Sequence, residues 1–298
     1  MTSTADPSAP NLDRLLVAMR PRLHRYCARM VGSVIDGEDV VQDALIKAVE
    51  AFAGSGPIEN PQGWLFRIAH NTALDFLRRR SRLAGLHSGE EVEMIADPVD
   101  AIWTRQVASL SLRTFMRLPL AQRASVILAD VLGCPLAEVC EVMDHSLPAV
   151  KAALHRGRVR LRELGAEGDD APRPELSDAD RKRLSSYVAH FNARDFDAIR
   201  AMIADDVRLE LVNKTRMRGK AEVSRYFGNY AKVADWHLVP GLVEGRAAIL
   251  VFDPQETRGE SGGRAKYFML LDWSADKVAA IRDFRHAPYV IDGAEYRV

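Results

Sequence analysis

The sequence predicts a multidomain chain in which two all-α domains are followed by an α+β domain. Apolar residues recur at helical spacing from Leu12 to about Gly165, and the last third changes to short helices followed by strand-like alternation. Charged or proline-containing segments separate these parts. We expect a leader at residues 1–10, domains at 11–83, 103–165 and 178–298, and linkers at 84–102 and 166–177.

The composition is typical of a soluble globular protein. Of 298 residues, 47% are apolar and 28% charged, and the formal net charge is zero. Acidic and basic residues fall in separate blocks, so the zero average does not exclude a basic surface for nucleic acid. Cys27, Cys134 and Cys140 lie in apolar helical patterns, which predicts reduced core thiols, no metal site and no cofactor. Without an apolar run of roughly 18 residues or a signal-peptide pattern, we expect a cytoplasmic protein with no membrane contact.

The first domain is predicted to contain three amphipathic helices, at Leu12–Met30, Asp36–Phe52 and Asn60–Arg82. The third helix joins an aromatic face that begins at Trp64 to an arginine-rich end, RRRSR. An arginine cluster at a helix end suits the helix dipole and is often only a solvated cap, but it also forms a patch that can neutralise phosphates.

Acidic residues are concentrated in two places. The start of the second helix carries Asp36, Glu38, Asp39, Gln42 and Asp43. Acids there are favoured by the helix dipole, but four carboxylates exceed what the dipole requires, which favours a protein-binding face. The linker at 84–102 is also acidic and is either a solvated tether or a competitor for surfaces that bind nucleic acid.

The second domain is predicted to contain a helix-turn-helix. An apolar pattern at Leu136–Met143 forms one helix, and after a turn Ser146 is the expected N-cap of the next. Between His145 and Arg162 every charged residue is basic. A solvated helix of this length normally carries both signs of charge, so the pattern indicates contact with DNA.

The third domain is predicted to be an α+β cone, because helices come first and a curved antiparallel sheet follows. The expected helices are Asp178–Ala193, Phe196–Ile203 and Gly219–Tyr230, and the expected strands are Asp206–Val212, His237–Val243, Ala247–Asp253, Lys266–Trp273 and Val278–Phe284. The final segment, RDFRHAPYVIDGAEYRV, is suited to reach back to the first domain or to the acidic linker.

The two predicted helical domains resemble a known protein family. The segments DGEDVVQDALIKAVEAF and NPQGWLFRIAHNTALDFLRRRSR resemble region 2 of extracytoplasmic-function (ECF) sigma factors. The segment LPLAQRASVILADVLGCPLAEVCEVMDHSLPAVKAALHRGRVRLREL resembles their region 4. The resemblance implies an alternative sigma factor that binds core RNA polymerase and promoter DNA, recognises the −35 and −10 elements and initiates transcription. A plain repressor is the weaker alternative, because it needs neither the acidic helix face nor the Trp64 helix.

The resemblance also implies which residues make these contacts. Residues expected to face core RNA polymerase are Asp36, Glu38, Asp39, Gln42 and Asp43. Residues expected at the −10 element are Trp64, Arg67, His70, Asn71, Asp75, Arg78, Arg79, Arg80 and Arg82. Residues expected at the −35 element are Ser146, Ala149, Lys151, Ala152, His155, Arg156 and Arg158. An anti-sigma factor is left open as a further partner.

The segments NARDFDAIRAMIADDVRLEL and MRGKAEVSRYF resemble the SnoaL-like, nuclear-transport-factor-2-like (NTF2-like) superfamily. The resemblance implies a cone with an apolar pocket. We expect this domain to regulate the sigma domains in cis and its pocket to offer a site for a small ligand. Candidate pocket residues are Tyr230, Trp236, His237, Asp283 and Arg285, with Asp206 and His286 as further polar candidates.

The alternative function is a ligand-converting enzyme tethered to a DNA-binding module, since several members of this superfamily are enzymes. No acid–base pair stands at a spacing that the sequence certifies, so we expect no catalytic residue. Convergence of His237 and Asp283 on one pocket would favour the enzyme.

Overall fold

The computed structural model describes residues 12–84, 101–167, 174–255 and 263–298. The chain divides into two compact units, residues 1–169 and residues 170–298. The predicted leader, the acidic segment from residue 85 to residue 100, and residues 168–173 of the second linker lie outside the described residues.

The described part of the first unit is entirely helical, as the sequence predicts. Its helices are α1 (Leu12–Val31), α2 (Val34–Phe52), α3 (Pro61–Ala84), α4 (Ala101–Ser109), α5 (Leu112–Met116), α6 (Leu120–Val126), α7 (Leu136–Met143) and α8 (Leu147–Ala166). A π-helical turn, Ile127–Val131, continues α6.

Local signals set the ends of these helices. The Ser33 side chain accepts a hydrogen bond from the Asp36 N–H at the start of α2, and the predicted cap Ser146 does the same for the Ala149 N–H in α8. Asp144 ends α7 in the left-handed conformation, at a φ of 54°. The helix-turn-helix made by α7 and α8 is therefore confirmed.

The helices of the first unit share one hydrophobic core. In the residues predicted to form the first domain, α1 packs on α2 and α3, and in those predicted to form the second, α6 and α7 pack on α8. The core continues from one domain into the other, because α3 packs on α7 and α1 packs on α5. Tyr26 and Phe66 of the first domain and Phe115 of the second are fully buried in it.

The second unit is an α+β domain built on one sheet. Its elements are α9 (Asp178–Asn192), α10 (Phe196–Met202), β1 (Ile203–Leu211), β2 (Thr215–Arg218), α11 (Lys220–Tyr230), β3 (His237–Val243), β4 (Arg246–Phe252), β5 (Tyr267–Ser274), β6 (Lys277–Asp283) and β7 (Tyr296–Arg297), with a 3₁₀ helix at Pro288–Gly293. The strand order is β2-β1-β6-β5-β4-β3-β7. The α+β fold class is confirmed.

One expectation for this sheet is wrong. The sheet is mixed, because β1 pairs with β6 in parallel while the other pairs are antiparallel. The final segment adds a strand to its own sheet, because Leu242 of β3 pairs with Arg297 of β7. The Tyr296 hydroxyl also accepts a hydrogen bond from the Ala265 N–H, which ties the segment to its own domain.

Candidate nucleic-acid interface

The amino-terminal half of α8 presents an exposed polar surface. Ser146, Ala149 and Lys151 are exposed, and Ala152 is half-buried beside them. On the other side of the helix Val150, Ala153 and Leu154 are buried, which fixes the helix orientation. An exposed helix start after a tight turn is the part of a helix-turn-helix that reaches base edges in the major groove.

The next turn of α8 borders a basic groove. His155 and Arg156 are half-buried and line a groove of about 550 Å³ together with Arg117 and Arg160. The His155 Nδ1 atom is buried without a hydrogen-bond partner among the described residues. Glu163 also lines the groove and pairs with Arg160 at 2.8 Å, and Arg117 pairs with Glu167 at 2.6 Å. The cations still outnumber the acids in the lining, which suits a phosphate backbone.

Arg158, expected at the −35 element, is instead a structural residue. Its guanidinium donates two hydrogen bonds to the Asp130 carboxylate, at 2.9 and 2.7 Å, and both side chains are buried. The Trp103 indole N–H donates to the same carboxylate at 2.8 Å. The bidentate pair joins α8 to the π-helical turn and directs the Arg158 side chain into the core, away from DNA.

Helix α3 presents the predicted basic surface. Arg67, Asn71, Arg78, Arg79 and Arg82 are exposed along it. Arg67, Asn71 and Arg78 stand at intervals of four and seven residues, which is one and two helical turns, so they lie on one side of the helix. This side combines a neutral amide with cations and suits contact with both bases and phosphates.

Other expected −10 residues are partly engaged within the protein. Trp64 is half-buried, with its ring 6.4 Å from the Phe52 ring. Asp75 pairs with Lys47 at 3.7 Å and with Arg78 at 3.2 Å. Arg80 donates to the Val31 carbonyl at 3.2 Å and thus satisfies the last carbonyl of α1.

His70 was expected on the exposed side of α3, and the structure places it in the core. It is 6% exposed, and its Nδ1 atom shares a 2.6 Å hydrogen bond with the Tyr26 hydroxyl. Burial, together with the nearby His145 and Arg78 charges, lowers the pKa of His70 to about 4. In this arrangement the neutral imidazole is not available to DNA.

The acidic start of α2 divides into a buried and an exposed part. Glu38 is fully buried and accepts hydrogen bonds from the Arg20 guanidinium, so the expectation that it faces a partner protein is wrong. Asp39 and Asp43 are exposed, and Gln42 is half-buried. Asp36 is also half-buried, with a carboxylate oxygen 3.8 Å from Arg80.

Two apolar residues extend this exposed acidic side, and sequence analysis did not assign them to it. Ile46 and Val49 are each 51% exposed, although Val49 falls at an apolar helical position. Ile46 lies three residues after Asp43, which places it on the same face of α2. The surface therefore combines carboxylates with aliphatic side chains, a composition suited to a protein partner.

The α+β domain contains a buried carboxylate with several tyrosines around it. Asp283 is fully buried and accepts hydrogen bonds from the Tyr226 and Tyr230 hydroxyls, at 2.9 and 2.8 Å, and from the Arg285 N–H at 2.8 Å. Burial raises the pKa of Asp283, and these donors oppose the rise. Tyr226 was missed, although it stands four residues before Tyr230 on α11, so the two share a face.

The cluster continues to the surface. The Tyr230 and Tyr267 hydroxyls are 3.1 Å apart, and Arg285 donates to Tyr267 at 2.9 Å. Arg285 also pairs with the exposed Asp235 at 2.8 Å. The predicted pocket residues Tyr230, Asp283 and Arg285 are thus brought together, but their polar atoms mainly satisfy one another.

Two buried donors beside this cluster lack a partner among the described residues, the Tyr187 hydroxyl and the Trp236 indole N–H. The Trp236 ring lies 5.8 Å from the Tyr230 ring and 5.1 Å from the Phe191 ring. The Tyr187 ring also lies 5.7 Å from the Phe191 ring. Buried donors of this kind are usually satisfied by an acceptor.

His237 does not join the cluster. Along β3 and its neighbours, Leu238 is in register with Val251, and Val251 with Tyr267. Tyr267 and Asp283 share one face of the sheet, because Met269 pairs with Asp283 and stands two residues after Tyr267. His237 adjoins Leu238 and therefore points to the opposite face. The convergence that would favour an enzyme is absent.

The remaining candidates contribute little to this site. Asp206 is exposed on β1, and His286 is half-buried after β6. Within the described ranges no group of three or more His, Cys, Asp or Glu side chains is arranged to hold a metal ion. All three cysteines are free, with Cys27 and Cys134 buried and Cys140 half-buried.

No described helix combines the length and the apolar character needed to cross a membrane.

Three family models match the chain in the predicted order. Sigma-70 region 2 matches residues 15–83, Sigma-70 region 4 matches residues 112–161, and the SnoaL-like domain matches residues 184–286. The first two contain the α3 surface and the exposed start of α8, and the third contains the Asp283 cluster.

Curated relatives agree with these matches. ECF RNA polymerase sigma factor SigG of Mycobacterium tuberculosis is 33% identical over 205 residues, covering 60% of this chain and 55% of the relative. The chain thus spans about half the length of this relative. SigM of Mycobacterium tuberculosis is 31% identical over 153 residues, covering 51% of this chain and 76% of the relative.

Among solved structures, the ECF sigma factor SigJ of Mycobacterium tuberculosis matches with 22% identity and a TM-score of 0.36, covering 92% of this chain and 95% of that one. From the region 2 and region 4 matches and the relatives that share them, the chain belongs to the ECF RNA polymerase sigma factors and carries a C-terminal SnoaL-like domain.

Proposed function

We propose that this chain is an alternative sigma factor that binds core RNA polymerase, recognises the −35 and −10 promoter elements and initiates transcription in the cytoplasm. The observation that carries the proposal is the presence, in one helical unit, of two separate exposed basic surfaces. One is the start of α8 with Lys151, and the other is the side of α3 with Asn71 and Arg78. A protein that only represses needs one such surface.

The α8 surface suits duplex DNA. Lys151 is exposed at the helix start, and Arg156 stands five residues later at the rim of the basic groove. A cation at the start of a recognition helix reaches base edges, and one further along reaches the phosphate backbone. Arg158 is excluded from this role because Asp130 holds it in the core.

The α3 surface suits opened DNA. Asn71 offers an amide with donors and acceptors for an unpaired base, and Arg67 and Arg78 flank it on the exposed side. Opening a duplex costs stacking energy, so base contacts and phosphate contacts have to be made together. The arginine-rich end of α3 supplies the phosphate contacts.

The exposed side of α2 is proposed to bind core RNA polymerase. Asp39, Asp43 and Ile46 recur at intervals of four and three residues and form one stripe on the surface of the helix. Carboxylates would set the orientation and rate of association, and the aliphatic residue would contribute buried area.

Equilibrium binding to core polymerase tests this surface. We expect Asp43→Ala combined with Ile46→Ala to weaken binding at least tenfold. Asp13→Ala, which removes an exposed acid at the start of α1, is the matched control and should leave the affinity unchanged. Equal affinities for the wild type and the α2 double variant would refute the assignment.

We propose that the SnoaL-like domain regulates the helical unit in cis and is not itself a catalyst. The support is that the Asp283 carboxylate already receives three hydrogen bonds from the protein and that His237 lies on the other face of the sheet. Transcription by the full chain and by residues 1–169 tests this part of the proposal. Equal activity of the two forms on the same promoter would refute regulation in cis.

We further propose that this domain takes up a small molecule that carries a hydrogen-bond acceptor. It is supported by the buried donors on Tyr187 and Trp236, which have no partner in the described part of the chain, because each such donor costs about 1–3 kcal/mol unless it is satisfied. Small aromatic ketones should quench the fluorescence of the wild type and not that of Trp236→Phe. Identical titration curves for the two proteins would refute uptake at this place.

A further inference from the structure

The hairpin made by β1 and β2 of the α+β domain is strongly basic. From Val207 to Ala221 the chain reads VRLELVNKTRMRGKA, in which Glu210 is the single acid. The cations are Arg208, Lys214, Arg216, Arg218 and Lys220. The whole chain has equal numbers of acidic and basic residues, so this excess is local. We call this segment the basic hairpin.

The strand register places the arginines of the basic hairpin on one face of the sheet. Arg208 stands opposite Arg218, and Glu210 stands opposite Arg216. Leu209, between the two β1 positions, is buried on the other face, whereas the three arginines are exposed. Because alternate residues of a strand point to the same side, the two arginines of β2 are about 7 Å apart along the strand.

The positive charge of this face is only partly neutralised within the domain. Arg216 donates to the Glu210 carboxylate at 2.9 Å, and the Arg282 Nε atom of β6 lies 3.1 Å from the same carboxylate. Arg208 and Arg218, which we call the opposed arginines, have no carboxylate partner for their side chains in the described part of the chain. Like charges directly opposite each other on neighbouring strands destabilise a sheet. The opposed arginines therefore lower the stability of the free domain.

Acids near the ends of the basic hairpin do not remove this excess. Asp205 and Asp206 precede it on β1, and Asp205 lies 3.8 Å from Lys220. Glu222 follows it on α11 and accepts a hydrogen bond from the Arg218 backbone N–H at 3.0 Å. These acids neutralise charge at the ends of the hairpin. The guanidinium groups of the opposed arginines remain without a carboxylate among the described residues.

Protection of the sheet edge does not explain the opposed arginines. β2 is an edge strand, and charged side chains on an edge strand prevent it from pairing with another chain. That accounts for the two arginines of β2. Arg208 lies on β1, which pairs with β2 on one side and with β6 on the other, so it has no free edge to protect. Two opposed cations at such a place indicate a partner that carries negative charge.

The geometry of the basic hairpin suits duplex DNA. A two-stranded ribbon fits the major groove of B-DNA, which is about 12 Å wide. Cations about 7 Å apart along β2 match two steps of about 3.4 Å between the phosphates of one DNA strand. Lys214 is exposed in the turn and extends the row of cations. No large apolar side chain of the hairpin is exposed, whereas an interface with a protein normally has an apolar core.

We propose that the basic hairpin is a third DNA-binding surface of this chain, which holds the phosphate backbone of duplex DNA without reading its sequence. This surface lies outside the proposed function, in which α3 and α8 make the DNA contacts. Its role rests on that function only because a sigma factor brings its SnoaL-like domain to promoter DNA. Phosphate contacts raise the affinity for every duplex alike and weaken as the salt concentration rises.

Binding of the full chain to a long fluorescent duplex that lacks promoter elements, measured over a series of salt concentrations, tests this surface. Arg208→Gln combined with Arg218→Gln removes the opposed arginines. The slope of log K against log salt should fall in magnitude by about 1.8, because each phosphate contact contributes about 0.9. Arg181→Gln combined with Lys182→Gln removes the same charge from exposed positions on α9. This matched control should keep the wild-type slope.

Urea denaturation checks that the first double variant is folded. Since the opposed arginines repel each other, it should unfold at the wild-type urea concentration or above it. Equal slopes for this variant and the wild type would overturn the proposal, and so would an equal fall in both double variants, which would be an effect of net charge. An unchanged slope with weaker binding to core RNA polymerase would also overturn it and assign the hairpin to a protein partner.

Failure of the proposed function would give a different result. A wild type that produces no promoter-dependent transcript would refute the role as a sigma factor. A smaller slope for the variant without the opposed arginines, on this promoter-free duplex, would still support the DNA-binding hairpin.

Discussion

Replacing Arg158 separates a structural arginine from a DNA-binding one in the same helix. The Asp130 carboxylate is 1% exposed and receives two hydrogen bonds from Arg158 and one from Trp103. Arg158→Met keeps much of the aliphatic volume but leaves a buried carboxylate with a single donor. Removing one partner of a buried pair costs about 3–5 kcal/mol. For a unit of this size, that lowers the melting temperature by roughly 10 °C.

This loss of stability is measured by urea denaturation of the full chain, in which circular dichroism at 222 nm monitors the unfolding of the helices. The matched control is Arg156→Met, the same substitution two positions earlier at a half-buried site on the groove. It should leave the unfolding transition in place and lower −35 affinity by about 1–3 kcal/mol. Asp130→Asn combined with Arg158→Met should recover at least half of the lost stability, because no unpaired carboxylate remains.

The reasoning would be refuted if Arg158→Met unfolded at the wild-type urea concentration and bound the −35 duplex as weakly as Arg156→Met. That result would indicate that Arg158 contacts DNA and has no structural role in the core.

Three further outcomes follow from buried polar groups. The folded pKa of His70 is about 4 and the ordinary value is 6.5, so between these pH values the unfolded chain binds more protons than the folded chain. The free energy of unfolding should therefore fall by up to about 3 kcal/mol as the pH drops from 6.5 to 4. Urea titrations at a series of pH values measure this fall, and His70→Gln should remove most of it. Glu38→Gln should lower the free energy of unfolding by about 2 kcal/mol and leave core polymerase affinity within twofold, whereas a large loss of affinity in folded protein would contradict its structural role. In chemical denaturation, Tyr226→Phe should cost about 2 kcal/mol by removing a donor to Asp283. By contrast, Tyr187→Phe removes a buried hydroxyl with no partner among the described residues and should raise the free energy of unfolding by about 1–3 kcal/mol.

The order of domains, most helix bounds and the helix-turn-helix were predictable because they depend on local signals. Apolar periodicity set α1 to α3, and Ser146 capped α8 as its side chain and position predict. The parallel pairing of β1 with β6 was not predictable, because it joins segments far apart in the sequence. Sequence periodicity describes one element at a time and contains little information about such partners.

Three polar residues were assigned to surfaces and turned out to be buried for a common reason. Glu38, His70 and Arg158 each stand at a position where the apolar face of their own helix continues. On α8, for instance, Arg158 follows Leu154 by four residues and precedes Leu161 by three. A charged or polar residue type predicts a surface position, whereas the helical spacing of these residues predicts the core. Burial of such a residue is possible where a buried partner, such as Asp130 for Arg158, satisfies its polar atoms.

On α2 the opposite error occurs, because an apolar residue that the helical pattern places in the core is exposed. Val49 satisfied the apolar pattern of its helix but is half exposed, because the third helix of the domain covers only part of that face. Hydropathy alone does not distinguish an apolar residue in the core from one at a surface that binds another protein.

Transcription in vitro tests the central claim most directly. Core RNA polymerase would be supplied with the full chain on a promoter from upstream of its own coding sequence, and the length of the transcript would be measured. The proposed function predicts a transcript of defined start that requires the chain and that falls at least fivefold with Lys151→Ala. Core polymerase that binds the chain but produces no promoter-dependent transcript, on this promoter or on promoters selected from genomic fragments, would contradict the assignment as a sigma factor.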